Sequence, residues 1–166
     1  MRRSYKVVAL IIFAVVIFDQ ITKVLALEGI NPYNPIEIIP GFFNLVLVMN
    51  PGAAFGIFND GGMLRTIFLI STSVLALILI GVFIRQSTDK VTEVALSLIA
   101  GGAIGNLIDR VRFGEVVDFL DIYPGGYFNN WHWPAFNIAD SAITIGVVLA
   151  IVGLYLAEEP KKEDED

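Results

Sequence analysis

The stretch VVALIIFAVVIFDQITKVLAL at residues 7–27 is apolar enough and long enough to cross a bilayer core, which takes roughly 20 helical residues. Similar stretches follow near residues 63–84, 91–108 and 137–157. The first is too long for a signal-peptide core and has no small-residue cleavage site after it, so we expect it to remain in the mature protein. The sequence therefore predicts an all-α integral membrane protein with four transmembrane helices.

The composition supports this class. Hydrophobic residues make up 55% of the 166 residues and charged residues 17%, a balance far more apolar than that of a soluble domain. We expect one membrane domain over residues 1–158 and a charged, solvated tail at 159–166. The chain has no cysteine and a single histidine, His132. Thiolate chemistry is therefore excluded, a zinc site or a Ser/His/Asp triad is disfavoured, and we expect no metal, cofactor or nucleic acid.

Basic residues predict the orientation in the membrane. They cluster before the first span, between the second and third, and after the fourth, whereas the longer loops at 28–62 and 109–136 hold few. This bias places both termini in the cytoplasm and both longer loops outside, although Arg110 and Arg112 count against it. Segment 36–49 is β-branched and aromatic with a Pro-Gly turn, which predicts short strands in a small β-rich subdomain on the outer membrane face.

Ionisable residues inside membrane spans are costly and indicate function by default. Asp19 and Lys23 lie four positions apart on the first span, hence on one helix face, which favours a structural intrahelical salt bridge. Asn106, Asp109 and Arg110 follow at the end of the third span, where capping and mutual pairing in support of a site is the simpler interpretation. His132 lies among aromatic residues and is interpreted as an interface residue.

Asp118 and Asp140 are the strongest candidates for chemistry. Asp140 lies in the first turn of the fourth predicted helix, where compensation of the helix dipole explains it adequately. That explanation does not cover Asp118, which lies in the apolar run Val116-Val117-Asp118-Phe119. Two neighbouring carboxylates cannot both ionise easily, so they share a proton, and one can activate water while the other polarises a carbonyl. Spacing alone leaves open whether the two residues meet.

Five sequence blocks carry a family resemblance. They are Asp19-Gln-Ile-Thr-Lys23, Asn50-Pro-Gly-Ala-Ala-Phe55, Gly105-Asn-Leu-Ile-Asp-Arg110, Val116-Val-Asp-Phe119 and Phe136-Asn-Ile-Ala-Asp140. In this order, across nearly the whole chain, they resemble signal peptidase II, the lipoprotein signal peptidase of bacteria. The stretch from Leu120 to Ala135 departs from the family pattern in its length and its content of Gly, Asn and Trp.

The resemblance implies a membrane aspartyl endopeptidase that cuts prolipoproteins just before a cysteine bearing a diacylglyceryl group. Asp118 and Asp140 match the catalytic pair of the family, and Asp19 and Lys23 match its helix 1 motif. The resemblance further implies a monomer in the bacterial inner membrane, in contact with lipid, with its site near the extracytoplasmic face and globomycin as an inhibitor. Residues that match positions lining or supporting the site are Asn50, Gly52, Ala53, Asn106, Asp109, Arg110, Asn137 and Ala139.

Two other classes of function remain open at this point. A small carrier or proton-relay subunit would line a path with intramembrane Asp, Lys and Arg, but the second span is nearly free of polar residues past Arg65. A non-catalytic assembly protein would use the aromatic segment 127–134 to dock partners, which leaves the two aspartates unexplained. The residues also leave open which aspartate is the acid and which the base.

Overall fold

The computed structural model describes residues 5–52, 62–123 and 133–158. Each of its four helices contains a window long and apolar enough to cross a membrane, which confirms the predicted fold class. The helices are α1 (Tyr5–Gly29), α2 (Gly62–Gln86), α3 (Lys90–Phe113) and α4 (Ile138–Glu158).

The burial pattern is the reverse of that in a soluble bundle. Large apolar side chains are exposed on every helix, among them Leu10, Leu75, Val111 and Leu154. Lipid is the solvent in which such a surface is stable, since in water it would drive aggregation. Charged and polar side chains lie inside instead, where they have partners, as expected within a bilayer. The buried charged side chains are therefore the candidates for function.

Local signals explain where α3 begins and ends. Asp89 precedes the helix and accepts a hydrogen bond from Thr92 N at 2.7 Å, a standard N-cap. Gly114 ends it in a left-handed conformation (φ 76°), which glycine adopts without steric cost. The helix thus continues to Phe113, past the predicted end near Ile108, because charged residues end an apolar run without breaking a helix.

A three-stranded antiparallel sheet packs against α1 and α3. Its strands, in the order β1-β2-β3, are β1 (Ile36–Ile39), β2 (Phe43–Asn50) and β3 (Val116–Ile122). Phe119 of β3 packs with Ala26 and Ile30 at the end of α1, and this contact ties the sheet to the bundle. The predicted strands in segment 36–49 are present as β1 and β2.

The third strand was not predicted. We expected residues 109–136 to form an outer loop, with strands only in segment 36–49. Instead Val48 of β2 pairs with Asp118, and β3 continues to Ile122. The β-branched and aromatic residues of 116–122 were a usable strand signal. The pairing itself could not be predicted from them, because the partner strand β2 lies far along the chain.

Glycines on α3 allow α4 to approach closely. A Cβ at Gly102 would overlap the carbonyl oxygen of Ala139, and one at Gly105 would lie 2.5 Å from Asp19 Oδ2. Ala139 lies in the first turn of α4, and Asp19 accepts a hydrogen bond from its backbone N–H. The absence of side chains at these two positions therefore determines how close the N-terminus of α4 lies to α3 and α1.

We expect Gly102→Ala to destabilise the protein by about 1–3 kcal/mol, since the added methyl group meets backbone that cannot rotate away. Gly81→Ala, within α2, is the matched control, because a Cβ there has no neighbour within 4 Å. The control should be neutral or stabilising by up to about 1 kcal/mol, from helix propensity. Thermal unfolding in detergent compares the two variants, and equal midpoints would contradict the proposed close approach.

Candidate active site

Asp118 lies on β3 with its carboxylate held from two sides. Asn50 Nδ2, at the end of β2, donates to Oδ2 at 2.8 Å, and Asn137 Nδ2, just before α4, donates to Oδ1 at 2.7 Å. The side chain is only 1% exposed. Strand pairing between β2 and β3 brings Asn50 next to Asp118, because Val48 is the cross-strand partner of Asp118 and Asn50 that of Val116.

Asp140 is fixed by the start of α4. Its backbone N–H donates to Asn137 Oδ1 at 2.9 Å, and its Oδ2 accepts the backbone N–H of Asn137 at 3.2 Å. This reciprocal pair is a capping box, with Asn137 as the cap and Asp140 three residues on. The other carboxylate oxygen of Asp140, Oδ1, accepts a hydrogen bond from Asn106 Nδ2 of α3 at 2.7 Å. Helix capping therefore accounts for the position of the carboxylate, as the sequence indicated.

Asn137 connects the two aspartates. Its side-chain N–H donates to Asp118, while its side-chain oxygen and backbone N–H form the capping box with Asp140. The residue is 0% exposed, so these contacts are shielded from solvent. The structure thus brings together the two carboxylates whose meeting the sequence left open.

The environment of Asp118 favours its protonated form. Its pKa is raised to about 6, chiefly by burial and also by the nearby charge of Asp140. Hydrogen bonds from Asn50 and Asn137 act in the opposite direction, because they stabilise the carboxylate. A carboxyl group with a pKa near 6 can exchange a proton near neutral pH, as acid–base chemistry requires.

A buried ionic network lies beside the aspartates. Lys23 Nζ contacts Asp19 Oδ2 at 3.0 Å, Asp109 Oδ2 at 2.8 Å and Asn106 Oδ1 at 2.9 Å. Lys23, Asp19 and Asp109 are each at most 2% exposed. The predicted Asp19–Lys23 salt bridge is therefore present, but it is one part of a network that also holds α3.

The contacts of Asp109 differ from the expected pairing with Arg110. Besides Lys23, its carboxylate accepts from Gln20 Nε2 at 3.0 Å and from Val117 N at 3.1 Å. The bond to Val117 N anchors the residue next to Asp118. Arg110 interacts electrostatically with Asp140, Asp109 and Asp118, so its charge lies near the two carboxylates rather than in a closed pair.

Asp19 and Asn106 link this network to the site. Asp19 Oδ1 accepts the backbone N–H of Ala139 at 2.9 Å, which caps the first turn of α4 next to Asp140. Asn106 accepts from Lys23 and donates to Asp140. A lysine can only donate, so Lys23 fixes the orientation of the Asn106 amide and directs its N–H at Asp140.

Gln20 is a supporting residue that the sequence interpretation missed. Its Nε2 lies within hydrogen-bond distance of Asp19 Oδ2, Gly105 O and Asp109 Oδ1, at 3.0–3.2 Å. Gln20 is the second residue of the first quoted block, but its amide is neutral and only partly buried. Charge was the signal that singled out Asp19 and Lys23, and a glutamine gives none.

Asn50 also shapes the segment that follows it. Its Oδ1 accepts from Gly52 N at 2.8 Å, an Asx turn. Gly52 has a φ of 79°, and a Cβ there would lie 2.7 Å from Leu69 Cδ1 of α2. Ala53 lies outside the described residues, as do His132 and most of the aromatic segment 127–134. The expectations for these positions remain predictions.

Known proteins with similar sequences carry one description. The family model described as Signal peptidase (SPase) II matches residues 11–156. A lipoprotein signal peptidase from Syntrophotalea carbinolica is 45% identical over 153 residues, covering 92% of each chain. Another, from Geobacter metallireducens, is 38% identical over 168 residues and covers 100% of this chain and 99% of its own.

Solved structures are similar as well. One bacterial membrane enzyme structure superposes with a TM-score of 0.81 at 38% identity, covering 97% of this chain and 95% of that one. A second gives a TM-score of 0.78 at 40% identity, with 90% and 92% covered. The match extends over all four helices and the sheet. The chain therefore belongs to the signal peptidase II family and is a peptidase embedded in the membrane through its four helices.

Proposed function

We propose that this protein removes the signal peptide from diacylglyceryl-modified prolipoproteins, cutting just before the lipidated cysteine, with Asp118 and Asp140 as the catalytic pair. The observation that carries the proposal is the joint attachment of both carboxylates to Asn137. Such a pair can share one proton, so that one member is a base and the other an acid at the same pH. Family membership favours this reading over a carrier or an assembly protein.

In the proposed reaction the ionised aspartate takes a proton from water as the water oxygen attacks the scissile carbonyl carbon. The protonated aspartate donates its proton to the carbonyl oxygen. Neither step needs a metal or an organic cofactor. Asn50, Asn106 and Asn137 orient the two carboxylates, and the Arg110 charge stabilises the anion. The segment from Gly52 onward is proposed to hold the substrate backbone.

A membrane setting suits a substrate that carries lipid. The acyl chains can remain in the hydrocarbon while the peptide enters sideways between helices. This placement explains why costly charges are retained among membrane spans. Prolipoproteins and membrane lipid are the proposed partners, with the protein acting as a monomer and globomycin binding in the same cleft.

The experiment that tests this function uses the purified protein and two versions of one prolipoprotein. One carries the diacylglyceryl group on its cysteine, and the other has an unmodified cysteine. We expect cleavage of the lipidated version only, and its loss when globomycin is added. Mass spectrometry of the products locates the cut. Cleavage of both versions alike, or at a site away from the cysteine, would contradict the proposal.

We propose further that the protein lies in the bacterial inner membrane, with the sheet outside and both termini in the cytoplasm. The distribution of basic residues supports this orientation. The chain has no cysteine, so single-cysteine variants give an unambiguous test. Tyr33→Cys, at a side chain 95% exposed, should react with a membrane-impermeant thiol reagent added to spheroplasts. Thr88→Cys, between α2 and α3, should react only after lysis. The reverse pattern would invert the topology.

A further inference from the structure

We propose that the proton shared by the two carboxylates resides on Asp118 and that Asp140 is the ionised base that activates water. This assignment rests on the proposed aspartyl mechanism and deepens it. It follows from a difference in how the two side chains are held. Asp140 lies in the first turn of a helix, whereas Asp118 lies on a strand and is enclosed between two side-chain amides.

Asp140 has the surroundings of an anion. It lies in the first turn of α4 and accepts a backbone N–H there from Asn137 at 3.2 Å, along with Asn106 Nδ2 at 2.7 Å. The positive end of the helix dipole stabilises negative charge in the first turn. Among the aspartates that interact with Arg110, Asp140 does so most strongly. The side chain is also only partly buried, so its charge loses less hydration.

Asp118 has the surroundings of a neutral acid. It lies on a strand rather than in the first turn of a helix, and its hydrogen-bond donors are the neutral side-chain amides of Asn50 and Asn137. At 1% exposure its charge would lose nearly all hydration.

The charges around Asp118 come from three helices. Lys23 faces it from α1, Asp109 and Arg110 from α3, and Asp140 from α4. Each cation has an anion that balances its charge. Lys23 Nζ lies 2.8 Å from Asp109 Oδ2, and the strongest electrostatic interaction of Arg110 with an aspartate is with Asp140. The raised pKa of Asp118, caused first by burial, agrees with this balance.

The assigned reaction balances as follows. Asp140 takes a proton from water, the new C–O bond forms, and the Asp118 proton passes to the carbonyl oxygen to give a neutral gem-diol. In the second step the proton held by Asp140 moves to the peptide nitrogen. The C–N bond then breaks as a gem-diol hydroxyl returns its proton to Asp118. Both aspartates end in their starting states, so one turnover needs only water.

A matched pair of variants tests the assignment. Asn50→Asp keeps the acceptor for Gly52 N but removes the donor to Asp118 and sets a carboxylate against it. Asn106→Asp keeps the acceptor for Lys23 and makes the same change toward Asp140. Each variant therefore places a second carboxylate against one aspartate, which disfavours the ionised form of that aspartate.

The readout is the pH profile of kcat/KM, which is bell-shaped for an acid–base pair. We expect Asn50→Asp to move the alkaline limb upward by about one pH unit, because the acid keeps its proton to higher pH. Asn106→Asp should move the acidic limb upward by a similar amount, because the base stays protonated to higher pH. The proposal is overturned if Asn50→Asp moves the acidic limb and Asn106→Asp the alkaline limb, or if both limbs move equally in both variants.

A second measurement needs no activity. In protein labelled with ¹³C at the aspartate carboxyl groups, the signals of the pair titrate with two midpoints. The signal with the higher midpoint should be missing from the spectrum of Asp118→Asn. In Asp140→Asn the same signal should remain and titrate at lower pH, because the charge of Asp140 that raises the pKa of Asp118 is gone. Its absence from Asp140→Asn instead would overturn the assignment. Neither result bears on whether prolipoproteins are the substrate, since failure of that proposal would appear as absent cleavage by the wild-type protein.

Discussion

Asp118→Asn and Asp140→Asn are each expected to abolish cleavage of a diacylglyceryl prolipoprotein, with a loss in kcat/KM of roughly 10³-fold or more. An asparagine has the shape of the aspartate but can neither hold the shared proton nor accept one from water. Each variant should still insert and fold, because the amide oxygen can accept one of the existing hydrogen bonds. Cleavage is measured with the purified variants, and thermal unfolding in detergent checks their folding.

Asp121→Asn is the matched control for these variants. Asp121 lies on the same strand, is 6% exposed and accepts from Asn44 Nδ2 at 2.9 Å, so it is a buried aspartate in a similar amide environment. We expect this variant to retain most of its activity. Substantial turnover by Asp118→Asn or Asp140→Asn would disprove the catalytic pair, whatever the control shows.

Lys23→Met is expected to destabilise the protein by about 3–5 kcal/mol, because it leaves buried carboxylates without their cation. Asp19 and Asp109 would both lose a contact of 3.0 Å or less. Methionine keeps much of the volume of the lysine stem, so the loss reports on charge more than on packing. The unfolding midpoint in detergent and the yield of folded protein measure the effect.

Lys6→Met provides the control on the same helix, because Lys6 is exposed near the start of α1. We expect its unfolding midpoint to match that of the wild type within error. If Lys23→Met unfolded at the wild-type temperature yet lost all turnover, the structural role of Lys23 would be wrong. A direct part in catalysis would then have to be considered.

Helix termini explain much of what could be predicted about the site. Asp140 was expected in the first turn of α4, and the structure has it there, because capping depends on residues close together in sequence. The Asp19–Lys23 pair was predictable for the same reason, since helical spacing alone brings the two side chains together. The four spans followed from hydropathy, which is likewise a property of contiguous residues.

Contacts between distant segments were beyond local patterns. The strand β3 depends on pairing with β2, about 70 residues earlier in the chain, and a short strand has no stable form without such a partner. The extension of the Lys23 network to Asp109, and the part of Gln20 in it, required the packing of α1 against α3.

The sequence by itself determined that this chain is a four-helix membrane protein, that its costly residues are Asp19, Lys23, Asp118 and Asp140, and which family it resembles. Hydropathy, helical spacing and capping are local, so they can be read along the chain. Only the tertiary structure decided that Asn137 holds both carboxylates and that their surroundings differ. Proton sharing depends on distance, burial and the direction of individual N–H groups, and these arise only when β3, α3 and α4 meet.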